Sequence, residues 1–394
     1  MSTRLAHTHP LAIAFALSLG AAISLGMSRF SYALLLPPMR ADLGWSYLLA
    51  GAMNTANALG YLIGALATPA LLRRYGGQKL LIGGALMTAL FLLLSGLVTD
   101  AGILLLQRLL AGIASALIFV AGGVLAARLG SLHPPRAGLL IGVYYGGTGL
   151  GIVLSALLVP ATDALAHGTA HAWQWAWLAL GATCLLGTAV MAWPIQSIDG
   201  KAPPASAQDH FDWHPFRFGL GGYFLFGVGY IGYMTFVVAL LREQGMSAGL
   251  ITLFYSGLGL AVFASSRIWA RLLDRCHGGE AMALLNGLLA VATLVPALTA
   301  QPVLVFASGL LFGGVFLSVV ASSTALVRHN LPSAAWSGGI GAFTSAFAFG
   351  QIVGPGFVGW IADGPGGLQR GLLYSALALL AGAALASRQR KLAA

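Results

Sequence analysis

Acidic side chains are scarce in this chain. It carries ten Asp and Glu in 394 residues, and none lies inside a long apolar run. All nine histidines also fall in connections or at the ends of apolar stretches. These absences leave a buried carboxylate proton relay without a candidate and remove the usual anionic anchor for an organic cation. Charge of either sign is rare, at 8% of residues, where a soluble protein carries about a quarter. The two cysteines, Cys184 in an apolar run and Cys276 in a connection, provide neither a disulfide framework nor a metal-binding spacing. No Gly-x-x-x-x-Gly-Lys-Ser/Thr is present, so ATP does not drive the chain in cis. No nucleophile–base pair or metal cluster occurs within the apolar runs, so neither an enzyme nor a cofactor is expected. The net charge of +10 is spread over short connections and does not form a nucleic-acid surface. Nor does any connection hold a large soluble domain, which argues against a membrane sensor or scaffold.

What the chain has is apolar length. Hydrophobic residues make up 58% of it, and mean hydropathy is +0.86. Runs long enough to cross a hydrocarbon core of about 30 Å cover roughly residues 11–37, 47–72, 79–98, 101–129, 137–160, 172–195, 216–240, 248–273, 279–299, 302–327, 336–362 and 367–387. They are continuous rather than alternating, which excludes membrane strands. The expected fold is all-α and polytopic, with twelve transmembrane helices in a lipid bilayer. Glycine, at 54 residues, suits helices that approach closely. The first run is too long for a cleaved signal peptide and lacks a small-x-small cleavage site, so it is expected to be a span.

Basic residues set the orientation. An even number of spans puts both termini on one side. That side collects fourteen Lys and Arg, from Arg4, Arg73, Arg74 and Lys79 through to Arg388, Arg390 and Lys391. The other side holds Arg40, Arg242 and Arg370. Both termini are therefore expected in the cytoplasm, with the chain in a bacterial inner membrane. Residues 196–215 read as a cytoplasmic linker between six-helix bundles at 1–195 and 216–394. A shift of 201 residues superposes Gly26 on Gly227, Tyr32 on Tyr233, Gly44 on Gly245, Ser46 on Ser247, Arg74 on Arg275, Gly77 on Gly278 and Gly112 on Gly313. Such a parallel repeat is the pattern of two halves that rock about a central site.

On these residues the chain resembles the major facilitator superfamily over nearly its whole length. Arg73-Arg74-Tyr75-Gly76-Gly77-Gln78-Lys79 is similar to that superfamily's basic loop after helix two, with Arg73 where an acidic residue is usual. Its second-half copy, Arg271-Leu272-Leu273-Asp274-Arg275, keeps the Asp-Arg pair. The resemblance implies that Arg73, Arg74, Asp274 and Arg275 belong to a charge network latching the cytoplasmic side. Leu104 to Gly112 resembles the helix-four arginine motif around Arg108. The segments around Arg29-Phe30, Phe226-Gly227-Val228-Gly229-Tyr230 and Gly350-Gln351 to Gly354-Pro355 resemble the YbfB/YjiJ-type branch. The fold implies that helices one, four, seven and ten line a cavity.

Arg29 stands out as a guanidinium deep in the first apolar run with no carboxylate in any run to pair with it. Burial of this charge in hydrocarbon costs about 3 kcal/mol or more, so the missing counter-charge is expected to be a ligand. A bond to helix carbonyls or tyrosines is the alternative. Its counterpart by the repeat is Tyr230, so the halves differ in charge at equivalent positions. Arg108 lies at similar depth, and its alternative is packing near Asp100. Arg267 is expected to snorkel to the interface. Tyr32, Tyr230 and Tyr233 could bond a ligand or only a neighbouring helix. Asn54, Asn57 and Gln351 could do so too, or glue helices together. Trp173, Trp175 and Trp177 read as an interfacial belt. Pro355 should kink its span beside Gly354, while Gly60-x-x-x-Gly64, Gly350-x-x-x-Gly354 and Gly146 to Gly151 offer close-packing surfaces.

The function expected is a secondary or facilitative carrier, expected to be monomeric, moving a small organic solute by alternating access. A carboxylate or other anion fits Arg29 and Arg108 best, with exchange, facilitated flow or proton symport as coupling modes. The same-class alternative is an exporter of neutral or amphipathic compounds.

Overall fold

The structure is a computed structural model that describes residues 8–198, 211–332 and 335–392, without the side chains of Ser266 and Ser337. Twelve helices among these residues are long and apolar enough to cross a membrane. We label them α1 (Pro10–Leu43), α2 (Tyr47–Tyr75), α3 (Gly77–Ser95), α4 (Ala101–Leu132), α5 (Ala137–Leu165), α6 (Trp173–Ala192), α7 (Arg217–Glu243), α8 (Ala248–Ile268), α9 (Glu280–Leu298), α10 (Pro302–Asn330), α11 (Trp336–Ala362) and α12 (Gly367–Ala386). All twelve apolar runs are helical. Several ends differ by three to six residues. The first helix continues through Pro37 and Pro38 to Leu43, and the eighth stops at Ile268, with Ala270–Arg275 forming a separate short helix. Arg4, Lys201 and most of the expected linker lie outside the described residues.

Contacts group the described chain into two units. The first runs through Trp45, resumes at Ala56 up to the undescribed segment, and adds Ala248–Phe263. The second takes Ser46–Thr55, the chain from beyond that segment to Ser247, and the chain from Ala264 onward.

Backbone-to-backbone contact organises the first unit. A Cβ placed on Gly60 would sit 1.9 Å from the Leu109 carbonyl oxygen, one on Gly64 2.5 Å from that of Ile113, and one on Gly112 2.1 Å from that of Asn57. Only glycine at these places lets α2 and α4 touch. Helix α5 is thinned on two sides. Gly147 and Gly151 meet the Ser18 and Ala22 carbonyls of α1, while Gly149 meets the Gly259 carbonyl of α8. At one end of the unit, Asp42 accepts from the Trp173 indole (2.5 Å) and bonds the His171 ring (2.6 Å), joining α1 to α6.

The second unit uses the same device. Gly350 and Gly354 of α11 lie against the Phe224 and Val228 carbonyls of α7, and Gly227 lies against the Phe347 carbonyl. Gly26 and Gly227, matched by the 201-residue shift, thus each place an early helix of one unit against a later one. Gly44 and Gly245 are matched by the same shift, and both adopt positive φ, 66° and 81°, just beyond α1 and α7. A side chain is strained there, so glycine ends both helices. The start of α2 belongs to this second unit. Asp363 accepts from the Tyr47 and Leu48 amides at 2.6 and 2.9 Å, and the Tyr47 hydroxyl donates to Glu243. A carboxylate satisfies otherwise unpaired amides at a helix start.

Candidate substrate site around Arg29

The middle of α1 is not α-helical. Residues Ala22–Phe30 form a π-helix, with the Ser31 amide bonded to the carbonyl five residues back, at Gly26 (3.1 Å). Wide turns of this kind are rare and concentrate at functional sites. Close approach to α5 frames this one, since a Cβ on Gly26 would lie 2.5 Å from the Gly151 Cα. The Tyr255 hydroxyl donates to the Phe30 carbonyl at 2.7 Å, at the end of the segment.

Arg29 is the penultimate residue of the π segment and is 3% exposed. Because α1 runs to Leu43, Arg29 lies fourteen residues from that end, about 21 Å at 1.5 Å per residue, beyond any snorkelling reach. Its guanidinium carbon lies 5.6 Å from the Tyr61 ring centroid. Its Nε and Nη2 are buried and make no hydrogen bond. The ion pairs among the described residues are His171–Asp42 and His214–Asp212, neither of which involves an arginine.

Arg108, 2% exposed, is held differently. Its Nη1 donates to the Ser28 carbonyl at 2.6 Å, and its guanidinium lies over the rings of Tyr32 (5.1 Å) and Trp177 (5.7 Å). Asn57 Nδ2 donates to the Arg108 carbonyl at 3.1 Å. Asp100 is occupied elsewhere, capping α4 through the Ile103 amide. Arg29 and Arg108 are close enough to repel each other. The buried Trp177 Nε1 has no acceptor, and Asn57 Oδ1 has no donor. Arg29, Tyr32, Asn57 and Arg108 therefore come together in the first unit. Sequence reasoning missed Tyr61, one turn beyond Asn57, and Tyr255. It also misplaced Trp177, which is 1% exposed beneath Arg108 rather than in an interfacial belt. Trp175 is exposed as expected, and Trp173 is bonded to Asp42.

The remaining candidates lie in the second unit. Asn54 Nδ2 donates to Thr235 Oγ1 at 2.8 Å. Tyr230 stacks with Phe226, Phe316 and Phe347 at centroid separations of 4.9, 5.9 and 5.5 Å. Tyr233 stacks on Phe312 at 4.0 Å, with its hydroxyl 3.5 Å from Ser308 Oγ. Gln351 is buried, and its Oε1 has no donor. Pro355 lies within α11, and its carbonyl oxygen would be 2.2 Å from a Cβ on Gly51. Arg73, Arg74, Asp274 and Arg275 are exposed, and Arg74 rests on the Tyr75 ring at 5.2 Å. Arg267 is exposed near the end of α8.

Twelve apolar helices, with glycine-mediated contacts in each unit, define the class, a polytopic helical membrane protein. The fold is similar to a bacterial homologue of the human lysosomal transporter Spinster, crystallised inward-facing and unoccupied, with 15% identity, 95% coverage of each chain and a TM-score of 0.71. It is also similar to the nucleoside transporter NupG, with 16% identity, 96% of this chain and 98% of that one covered, and a TM-score of 0.71. Residues 21–387 match the family described as "Uncharacterised MFS-type transporter YbfB", and the chain belongs to that family. No curated protein matches it in sequence.

Proposed function

We propose that the transporter carries a small organic anion, with a carboxylate or equivalent group bound at Arg29. The observation that carries this reading is a buried guanidinium whose Nε and Nη2 have no hydrogen-bond partner. An unsatisfied buried donor costs about 1–3 kcal/mol, more when charged. A bound anion offsets that cost, and Nε with Nη2 forms the edge that receives a carboxylate through two parallel bonds. Trp177 Nε1 is a further buried donor without an acceptor in the same unit. Arg108 fits a positioning role, holding α4 to the π segment while adding positive potential. In this reading, six-helix halves at 1–195 and 216–394, joined by the 196–215 linker, alternate access to the site. Both termini face the cytoplasm of an inner membrane, consistent with fourteen basic residues against three. Tyr230, Tyr233, Asn54 and Gln351 are further candidate substrate contacts, and the coupling mode is exchange, facilitated flow or proton symport with the proton on the substrate. Gly354 and Pro355 serve as packing and bending points, while Arg73, Arg74, Asp274 and Arg275 respond to the change in access.

Thermal stability of the purified protein against carboxylates, phosphates, organic cations and neutral amphiphiles tests the substrate class. A ligand at 100 times its Kd stabilises by about 2.7 kcal/mol. Anions should raise the wild-type Tm and leave Arg29→Gln unmoved. Equal stabilisation of both proteins by neutral amphiphiles would instead favour an amphiphile exporter in which Arg29 is structural.

A further inference from the structure

A second basic site lies away from Arg29, where α7 begins and the chain ends. Arg217, Arg388 and Arg390 line a groove of about 710 Å³ together with His214, Phe218 and Leu392. We propose that this groove binds the phosphate of an anionic lipid headgroup.

Three observations lead there. The first is charge without compensation. All three arginines are exposed. The nearby Asp212 is engaged by His214, through the ring at 2.8 Å and the amide at 3.0 Å. Among the described residues no carboxylate lies within ion-pair distance of Arg217, Arg388 or Arg390.

The second is rigidity. The tail carrying Arg388 and Arg390 has left α12, yet it does not depend on those arginines to hold its place. Gln389, between them, is 3% exposed. Its Oε1 accepts from the Gly219 amide (3.0 Å), and its Nε2 donates to the Pro215 carbonyl (3.0 Å). Its own carbonyl accepts from the Gly279 amide (2.8 Å). The Leu392 amide donates to Asn330 Oδ1 at 2.7 Å. Flanking residues thus fix the backbone that carries both arginines, which lowers the ordering cost of binding an anion there.

The third is position, which favours a lipid over free phosphate. Arg217 is the first residue of an apolar membrane helix, so its head group sits at the level of lipid phosphates. Phe218 and Leu392 add apolar surface beside the charges. Trp213, 53% exposed and stacked on His214 at 4.0 Å, has the amphipathic character of an interfacial anchor. A phosphate diester bearing acyl chains satisfies both the polar and apolar linings, whereas inorganic phosphate uses only the first.

Native mass spectrometry of the full-length protein in an uncharged detergent tests this, with phosphatidylglycerol as probe, phosphatidylcholine as headgroup control and inorganic phosphate as the free-ion arm. The wild type should bind phosphatidylglycerol about a hundredfold more tightly than the triple variant Arg217→Gln/Arg388→Gln/Arg390→Gln. The tail-only variant Arg388→Gln/Arg390→Gln, which leaves every helix intact, should fall between the two. Arg271→Gln/Arg275→Gln removes two arginines outside the groove and should bind as the wild type does. Phosphatidylcholine should bind weakly and equally to all. Unchanged phosphatidylglycerol binding by the triple variant overturns the proposal. So does an equal loss in the Arg271/Arg275 control, equal wild-type affinity for the two lipids, or displacement of phosphatidylglycerol by millimolar inorganic phosphate.

Discussion

Arg108 reaches from α4 to α1 and donates its Nη1 to the carbonyl of Ser28, 2.6 Å away and one residue before Arg29. One guanidinium thereby holds the backbone that presents the other. The pair divides the labour of two buried cations. Arg108 has a carbonyl and two aromatic faces, whereas Arg29 has the Tyr61 ring and two nitrogens without hydrogen bonds.

This division predicts different responses to substitution. Arg108→Gln removes a charge-assisted bond and leaves the Ser28 carbonyl without that donor, costing about 1.5–3 kcal/mol. The expected outcome is a lower Tm without ligand, together with weaker anion binding. Thermal unfolding and a binding isotherm on the same preparation check both.

The π segment should depend on Tyr255. Tyr255→Phe keeps the ring and deletes the hydroxyl that donates to the Phe30 carbonyl. A loss of about 1 kcal/mol in stability is expected, with faster amide exchange across residues 22–31 than elsewhere in α1. Hydrogen exchange resolved by peptide reads it. Unchanged protection would show that the close contact with α5 alone holds the π turns.

Glycine contacts in the first unit set a stricter limit. A Cβ on Gly147 would lie 2.0 Å from the Ser18 carbonyl oxygen, while one on Gly138 of the same helix meets nothing within 4 Å. Gly147→Val should therefore abolish recovery of folded, monodisperse protein, because overpacking against a backbone costs about 1–3 kcal/mol or more. Gly138→Ala should be neutral or slightly stabilising. Size-exclusion profiles after solubilisation compare the two.

Cys276 lies outside the membrane spans, and burial, then the neighbouring Glu280 carboxylate, pushes its thiol above the ordinary cysteine range. A raised thiol pKa means less thiolate at neutral pH, and thiolate is the reactive form. Alkylation should be slow at pH 7 and accelerate as pH rises through the shifted value. Glu280→Gln should move that acceleration to lower pH. Maleimide labelling rates across pH measure it, with the buried Cys184 expected to stay unlabelled in the folded protein.

Much of the fold was legible in the sequence because length and apolarity alone specify a membrane helix. Every predicted run is a helix, and Gly44 and Gly245, paired by the repeat, both end helices at positive φ. The π-helix was not legible, since a shift from four-back to five-back bonding changes no side-chain composition. The extension through Pro37 and Pro38 was missed because proline ordinarily breaks helices. Trp177 shows a different limit. Tryptophans at 173, 175 and 177 look like a belt, yet the four-residue spacing places 173 and 177 on one helix face and 175 opposite. That spacing held the signal for two buried rings and one exposed. The depth of Arg29 was readable from its place in the first run, and its lack of a carboxylate partner from the absence of acidic residues in the runs. Tyr61 and Tyr255 were not readable, because nothing in a lone tyrosine indicates which neighbouring helix it meets.

The most direct test is the stability of Arg29→Gln without ligand, set beside its affinity for the anion that most stabilises the wild type. If Arg29 is kept for a ligand, removing an uncompensated buried charge should raise the Tm of the unliganded protein, by an amount equivalent to about 1 kcal/mol or more. Anion affinity should fall at least as far as the loss of a charged hydrogen-bond pair implies, about 2 kcal/mol or roughly thirtyfold. A lower Tm with unchanged anion affinity would contradict the account and make Arg29 a structural residue.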